Sequence, residues 1–124
     1  MNVLIIEPDR ILAAAYKRAF DQAAYQTRIC NDAQTAVALI DKLAPDAVIL
    51  ELQLAGHSGI EFLHEFRSYD DWAEIPVFIY SKVPEYRFKV EPATWQAFGV
   101  RHYFYKPEIT VSQLIGAIKE ATTP

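Results

Sequence analysis

Apolar positions along this chain cluster in short runs, separated by longer stretches in which they recur at helical spacing. The runs are residues 3–6, 25–30, Ala47–Leu50, 75–80 and Val100–Tyr105. They have strand length and are rich in β-branched and aromatic residues. Ala47–Leu50 shows no polar alternation, which suits a strand covered on both faces, as in the middle of a parallel sheet. Between the runs, Asp9 is placed to cap a helix over about residues 10–22, with Ile11, Leu12, Ala15 and Ala19 as its inner stripe. Asn31 and Asp32 offer caps for a second helix, and Gln34 lies in capping-box spacing from Asn31. Ala36, Leu39, Ile40 and Leu43 form that helix's apolar stripe, and Pro45 stops it. A third helix, roughly residues 59–68, turns Ile60, Leu63 and Phe66 inward, and the polar stretch after it reads as a loop. Residues 82–91 have no clear pattern, because Pro84 and Pro92 interrupt it. Pro92 suits the first position of a short helix that Gly99 ends. Val111, Leu114, Ile115 and Ile118 mark a last helix over about residues 110–121.

Five strand patterns alternating with five helical ones predict an α/β protein: a (βα)5 doubly wound, five-stranded parallel sheet. Pattern alone leaves the strand order open. With 124 residues, 52 % of them apolar, residues 1–124 make a single domain with a real core. The net charge of −4 and the absence of a basic stripe give no reason to bind nucleic acid or an anionic membrane. Cys30 is the single cysteine, which excludes an internal disulfide and makes it a small apolar filler. The run at 3–6 is broken by Glu7 and is too short for a signal peptide or a span, so a cytoplasmic location is expected.

In open α/β sheets, ligands gather outside the carboxyl ends of the strands. The residues that follow the predicted strands are Glu7, Glu51, Ser81 with Lys82, and Lys106. Two carboxylates beside a lysine and a hydroxyl resemble the parts used in phosphoryl transfer. The histidines His57, His64 and His102 lack ligand spacing with any cysteine or acid cluster and read as surface residues.

Taken in order, these marks resemble the response-regulator receiver domain (CheY-like) along the whole chain. They are Glu7 after strand one, PDAVILEL with Glu51, the later Gly59, IPVFIYS ending at Ser81, and Gly99 leading through Tyr103 to Lys106-Pro107. The resemblance implies the flavodoxin-like strand order 2-1-3-4-5 and a cis peptide before Pro107. It also implies partner or dimer contacts through the face of helix 4, strand 5 and helix 5. Lys106, Ser81 and Tyr103 keep the family's lysine, switch hydroxyl and switch aromatic, and Gln53 keeps the position whose backbone carbonyl would reach a metal.

Other positions depart from the family. Glu51 occupies the place of the acceptor aspartate, Pro8 has replaced the second strand-one acid, and Ala55 stands for the loop proline. Lys82 follows the switch hydroxyl where a small residue is usual, so it either covers the site or is simply solvated. Glu7 and Glu51 against Lys106 leave a net charge near −1, or near zero if Lys82 also faces them, too little for a divalent ion to be drawn in. The expectation is a degenerate, pseudo-receiver variant that turns nothing over, takes no cofactor and binds Mg²⁺ weakly or not at all. It would act in two-component, phosphorelay signalling by protein–protein contact with a histidine kinase, an output domain or a second copy. Two readings of Glu51 stay open: a permanent mimic of the phosphorylated state, or a structural carboxylate paired with Lys106. The alternative function is an active phospho-accepting receiver in which Asp9 completes the metal site. A flavodoxin or Rossmann relative is weaker, since EPDR after strand one is neither a hydroxyl-rich phosphate loop nor GxGxxG. Tyr86, Phe88, Trp95 and Phe98 surround the fourth helix, and the first two are expected to be exposed as a partner patch. Residues 122–124 read equally as a terminus or as the start of a linker to an output domain.

Overall fold

The computed structural model describes residues 1–54, 56 and 58–123; Ala55, His57 and Pro124 lie outside the described residues. The chain alternates β1 (Asn2–Ile6), α1 (Arg10–Gln22), β2 (Gln26–Cys30), α2 (Ala33–Lys42), β3 (Ala47–Leu50), α3 (Gly59–Arg67), β4 (Val77–Ser81), α4 (Pro92–Ala97), β5 (Val100–Tyr105) and α5 (Val111–Thr122). All strand pairs are parallel, in the order β2-β1-β3-β4-β5. Apart from Asn2 at the start of β1 and Ser81 at the end of β4, the strands β1, β3 and β4 are apolar because the sheet is covered on both faces, and successive side chains divide between two cores. Leu4, Ile6, Val48, Leu50, Val77 and Ile79 meet Ile40 of α2, Phe62, Leu63 and Phe66 of α3, and Trp95 of α4. Val3, Ile5, Ala47, Ile49, Phe78 and Tyr80 meet Tyr16 and Phe20 of α1 and Leu114 and Ile118 of α5. No helix among the described residues is long and apolar enough to cross a membrane.

Several details correct the sequence reading. α1 has the expected bounds, but its inner stripe is Ala13, Tyr16 and Phe20, while Ile11 is 82 % exposed and Leu12 also faces solvent. Ala15 and Ala19 flank the buried stripe and are half-buried. The helix carries two apolar stripes, and the one with the bulky rings buries more area and wins. α2 is capped by Asp32, whose side chain accepts from the Thr35 amide at 2.7 Å. Asn31 instead donates its side-chain amide to the Glu7 carbonyl, so the Asn31–Gln34 capping box does not form. α2 ends at Lys42, which leaves Leu43 exposed. Asp70–Trp72, read as loop, is a 3-10 turn that buries Trp72 against Phe66. Among the described residues no peptide bond is cis, the one before Pro107 included, in keeping with the intrinsic preference of X–Pro bonds for trans. Phe88, expected to be exposed, sits in the 3-10 turn Glu85–Phe88, packs on the core and meets the Tyr103 ring; only Tyr86 stays in water.

Two positions pin the frame. A Cβ at Gly59 would lie 2.7 Å from the Leu52 Cα, so α3 can begin this close to the end of β3 only with glycine. The half-buried guanidinium of Arg67 donates to the carbonyls of Trp72, Ile75 and Phe98, tying the entries of β4 and β5 to α3. Arg67→Met leaves three carbonyls without a charged donor and is expected to cost about 3 kcal/mol. Urea denaturation of both proteins measures it, and a loss below about 0.5 kcal/mol, the range of surface substitutions, would show those bonds to be incidental.

Candidate functional site

The ladders continue one residue beyond the strands. The Glu7 amide donates to the Cys30 carbonyl, Glu51 to Ile6 and Lys106 to Ser81. Glu7, Glu51, Ser81 and Lys106 therefore converge over the carboxyl edge of β1, β3, β4 and β5, where the strand assignments put them. Glu7, Glu51 and Ser81 are 3 %, 2 % and 0 % exposed, so whatever charge they carry must be met by protein.

It is met by Lys106. Its ammonium donates to Glu7 Oε1 and, at 3.0 Å, to Glu51 Oε1. The remaining carboxylate lone pairs go to backbone amides. Glu51 Oε1 also accepts from Lys82 N, Glu51 Oε2 from Gln53 N and Glu7 Oε2 from Asp9 N, each at 3.0 Å. Every oxygen of the two carboxylates thus has a protein donor. Burial disfavours the charged form of Glu51. The Ser81 hydroxyl, the two amides and Lys106 outweigh it and hold the carboxyl below its ordinary range. Burial likewise works against the Lys106 ammonium, but Glu7 and Glu51 raise its pKa and keep it charged.

The same ammonium lies 5.8 Å from the ring centres of both Tyr16 and Tyr80. Those rings are 5.5 Å apart, and the Tyr80 hydroxyl donates to the Ile109 carbonyl at 2.6 Å. Burial pushes the Tyr16 hydroxyl up to about 12, so it stays neutral beside the lysine. Tyr16 is the site residue that the sequence did not disclose, because α1 was read in the wrong phase.

The other expected residues fall as follows. Asp9 accepts from the Ile11 and Leu12 amides at 2.9 and 3.0 Å, so its carboxylate caps α1. Lys82 contributes its amide, while its side chain is exposed. Gln53 is exposed and bridges to Ser58. The Ser81 hydroxyl accepts from Val83 N at 3.1 Å, and the Tyr103 hydroxyl donates to the Val83 carbonyl, so the 81–83 turn joins the two. Tyr103 is half-buried against Trp95 and Phe88, and burial pushes its hydroxyl up to about 12. His64 packs on Phe98 and His102 on Phe78 and Phe104, apart from the site. Cys30 is buried, and desolvation pushes its thiol up to about 12, as befits a filler.

Residues 3–119 match the family described as the response regulator receiver domain. The chain is 29 % identical over 70 residues to the transcriptional regulatory protein TrcR of Mycobacterium tuberculosis, which covers 56 % of this chain and only 27 % of TrcR. In fold it is similar to a sensor protein from Polaromonas sp. JS666, with a TM-score of 0.84, 18 % identity and coverage of 97 % and 94 % of the two chains. The chemotaxis response regulator CheY4 of Vibrio cholerae superposes with a TM-score of 0.82 and 17 % identity over 96 % of each chain. The strand order, the carboxyl-edge constellation and the match across nearly the whole length agree: this chain belongs to the response regulator receiver domain family of two-component signalling.

Proposed function

We propose that this receiver is a degenerate one, held in a single state by its own residues and signalling through protein contacts rather than by accepting a phosphoryl group. The observation that carries the reading is the Lys106 ammonium between Glu7 and Glu51, with all four carboxylate oxygens already engaged. A divalent ion does not fit this donor set. Pro8 supplies no carboxylate, Asp9 is committed to capping α1, and binding would have to displace Lys106 from between the two acids. Mg²⁺ surrenders its waters reluctantly and demands near-octahedral oxygen ligands, so two lysine-bound carboxylates are a poor offer. Glu51 is also one methylene longer than aspartate, which misplaces a nucleophile by about 1 Å, an error that can cost on the order of a hundredfold.

The net charge of the trio stays near −1 without metal or phosphate. Through its contacts with Ser81 and the Lys82 amide, Glu51 fixes the turn that receives the Tyr103 hydroxyl. This favours the reading in which Glu51 holds a permanent state; the paired structural carboxylate is the minimal form of the same geometry. The alternative that recruits Asp9 has no observation in its favour. The expected partners are a histidine kinase, an output domain or a second copy, met through α4, β5 and α5. Tyr86, 75 % exposed at the edge of that face, supports it. The proposed location is the cytoplasm.

The test is direct. Millimolar Mg²⁺ should leave the melting temperature unchanged, since only a ligand of the folded form raises it. Incubation with acetyl phosphate and Mg²⁺ should leave the intact mass unchanged. A concentration-dependent rise in melting temperature, or uptake of one phosphoryl group at Glu51, overturns the proposal.

A further inference from the structure

A lysine ammonium carries three N–H donors. Lys106 gives two of them to Glu7 and Glu51, and the group lies over two aromatic rings, 5.8 Å from the centre of Tyr16 and 5.8 Å from that of Tyr80. Both distances fall inside the roughly 6 Å within which a ring attracts a cation. The rings come from different elements. Tyr16 belongs to the buried stripe of α1, and Tyr80 to the β4 residues that face α1 and α5. Their centres are 5.5 Å apart and their planes 58° from parallel, so the pair makes an angled wall rather than a flat stack. The Tyr80 hydroxyl donates to the Ile109 carbonyl at 2.6 Å, which anchors its ring to the loop that follows Lys106. Burial raises the pKa of both phenols, so both rings stay neutral beside the lysine.

We propose that Tyr16 and Tyr80 are positioning residues: their rings form a seat that confines the Lys106 ammonium between Glu7 and Glu51 and so keeps a divalent ion out. The inference rests on the reading that Lys106 holds the place a metal would need. The carboxylates alone do not choose a lysine. Glu7 and Glu51 attract any cation, and a divalent ion carries twice the charge. The rings do discriminate. An ammonium can turn part of its surface onto aromatic rings, and that attraction grows as water is excluded. Mg²⁺ demands octahedral oxygen ligands and gives up its waters reluctantly, so a pair of rings offers it nothing. Aliphatic side chains would fill the same space but leave the cation against hydrocarbon, where a charge is costly to bury. The plain reading of a buried tyrosine pair is core packing, and a readout on the lysine itself separates the two.

That readout is solvent exchange of the Lys106 ammonium protons, measured without metal by ¹H–¹⁵N NMR on the whole labelled protein. Loss of the signal in Lys106→Met assigns it. Tyr16→Leu and Tyr80→Leu each remove a ring and should speed the exchange at least about tenfold. Tyr16→Met takes the place of a leucine variant that fails to fold. Tyr16→Phe keeps the ring and should stay within about threefold of the wild type. Phe20→Leu is the packing control: it trims the same stripe of α1 about one turn away, costs stability, and should leave the exchange within about twofold. On a Pro8→Asp background, adding Tyr16→Leu should enlarge the rise in melting temperature that millimolar Mg²⁺ produces, because the lysine yields its place more easily. The proposal is overturned if removing a ring leaves the exchange unchanged, or if Phe20→Leu speeds it as much. It is equally overturned if Tyr16→Phe behaves like Tyr16→Leu, or if the Mg²⁺ response ignores the ring. Uptake of Mg²⁺ by the wild type would overturn the degenerate-receiver reading, whereas the exchange rates judge the seat alone.

Discussion

Lys106→Met should cost about 3–5 kcal/mol at pH 7, because it strands two buried carboxylates instead of merely deleting a bond. Methionine keeps an apolar stem between Tyr16 and Tyr80, so the change isolates the charge from the packing. For a domain whose whole stability is of order 5–15 kcal/mol, that is a large fraction. Glu51→Gln should cost less, about 1–2 kcal/mol, since Lys106 keeps Glu7 and the amide side chain can still accept from a neighbour. Glu120→Gln, an exposed site, should cost nothing measurable. Equal losses for Glu51→Gln and Glu120→Gln would show that Glu51 is solvated rather than paired.

The same variant should reverse the response to acid. In the wild type Glu51 titrates below its ordinary 4.5. Its contribution is therefore complete above that value and is lost as pH falls through the lower, folded value. Lys106 has a folded pKa above its ordinary 10.5, so its share is present through neutrality and fades only as pH rises past that folded value. Without Lys106, two facing carboxylates in a buried site share no counter-charge, and each favours the protonated form. Lys106→Met should then gain stability between pH 7 and 5, where the wild type is flat. Urea midpoints at those two pH values measure the difference, and parallel behaviour of the two proteins would refute the trio as a charge-balanced unit.

How far the sequence disclosed this arrangement depends on which element is asked. β3 and β5 have the predicted bounds, and α4 begins at Pro92 and ends before Gly99, whose φ is +75°. There composition leaves little choice: an unbroken apolar run, a proline at the first helical turn and a glycine in the left-handed region each admit one reading. α1 is the opposite case. Ile11 and Leu12 offer one stripe and Ala13, Tyr16 and Phe20 another, about a third of a turn apart. Helical periodicity cannot rank them, because only the partner surface of α5 and the sheet decides which is buried. The misread phase hid Tyr16 and with it half of the aromatic wall around Lys106. The pairing of Lys106 with both acids was visible only as an order of residues after strands. That both carboxylates give all their oxygens to protein donors is a matter of distance and direction, which no spacing encodes.

Restoring the family's residues should restore chemistry, but only in combination. Glu51→Asp alone shortens the side chain while leaving Pro8 without a carboxylate and Lys106 still drawn to Glu7, so no phosphoryl uptake is expected. Pro8→Asp alone adds a third acid beside Glu7 and Glu51, taking the cluster from a net −1 to −2, enough to make a divalent cation competitive with the lysine. It should raise the melting temperature in millimolar Mg²⁺ by a few degrees, yet the longer Glu51 remains a misplaced nucleophile. Pro8→Asp with Glu51→Asp supplies both the charge and the position, and acetyl phosphate with Mg²⁺ should then add one phosphoryl group to the intact mass. Lys82 presents its amide to the site and its side chain to solvent, so Lys82→Ala keeps the amide and clears the approach, and should raise the yield further. Intact-protein mass after incubation, with the wild type and each variant side by side, reads all of these at once. If the triple variant binds Mg²⁺ and stays unlabelled, a feature beyond these three positions closes the site, and the bracket of Tyr16 and Tyr80 that holds Lys106 in place is the first to relax.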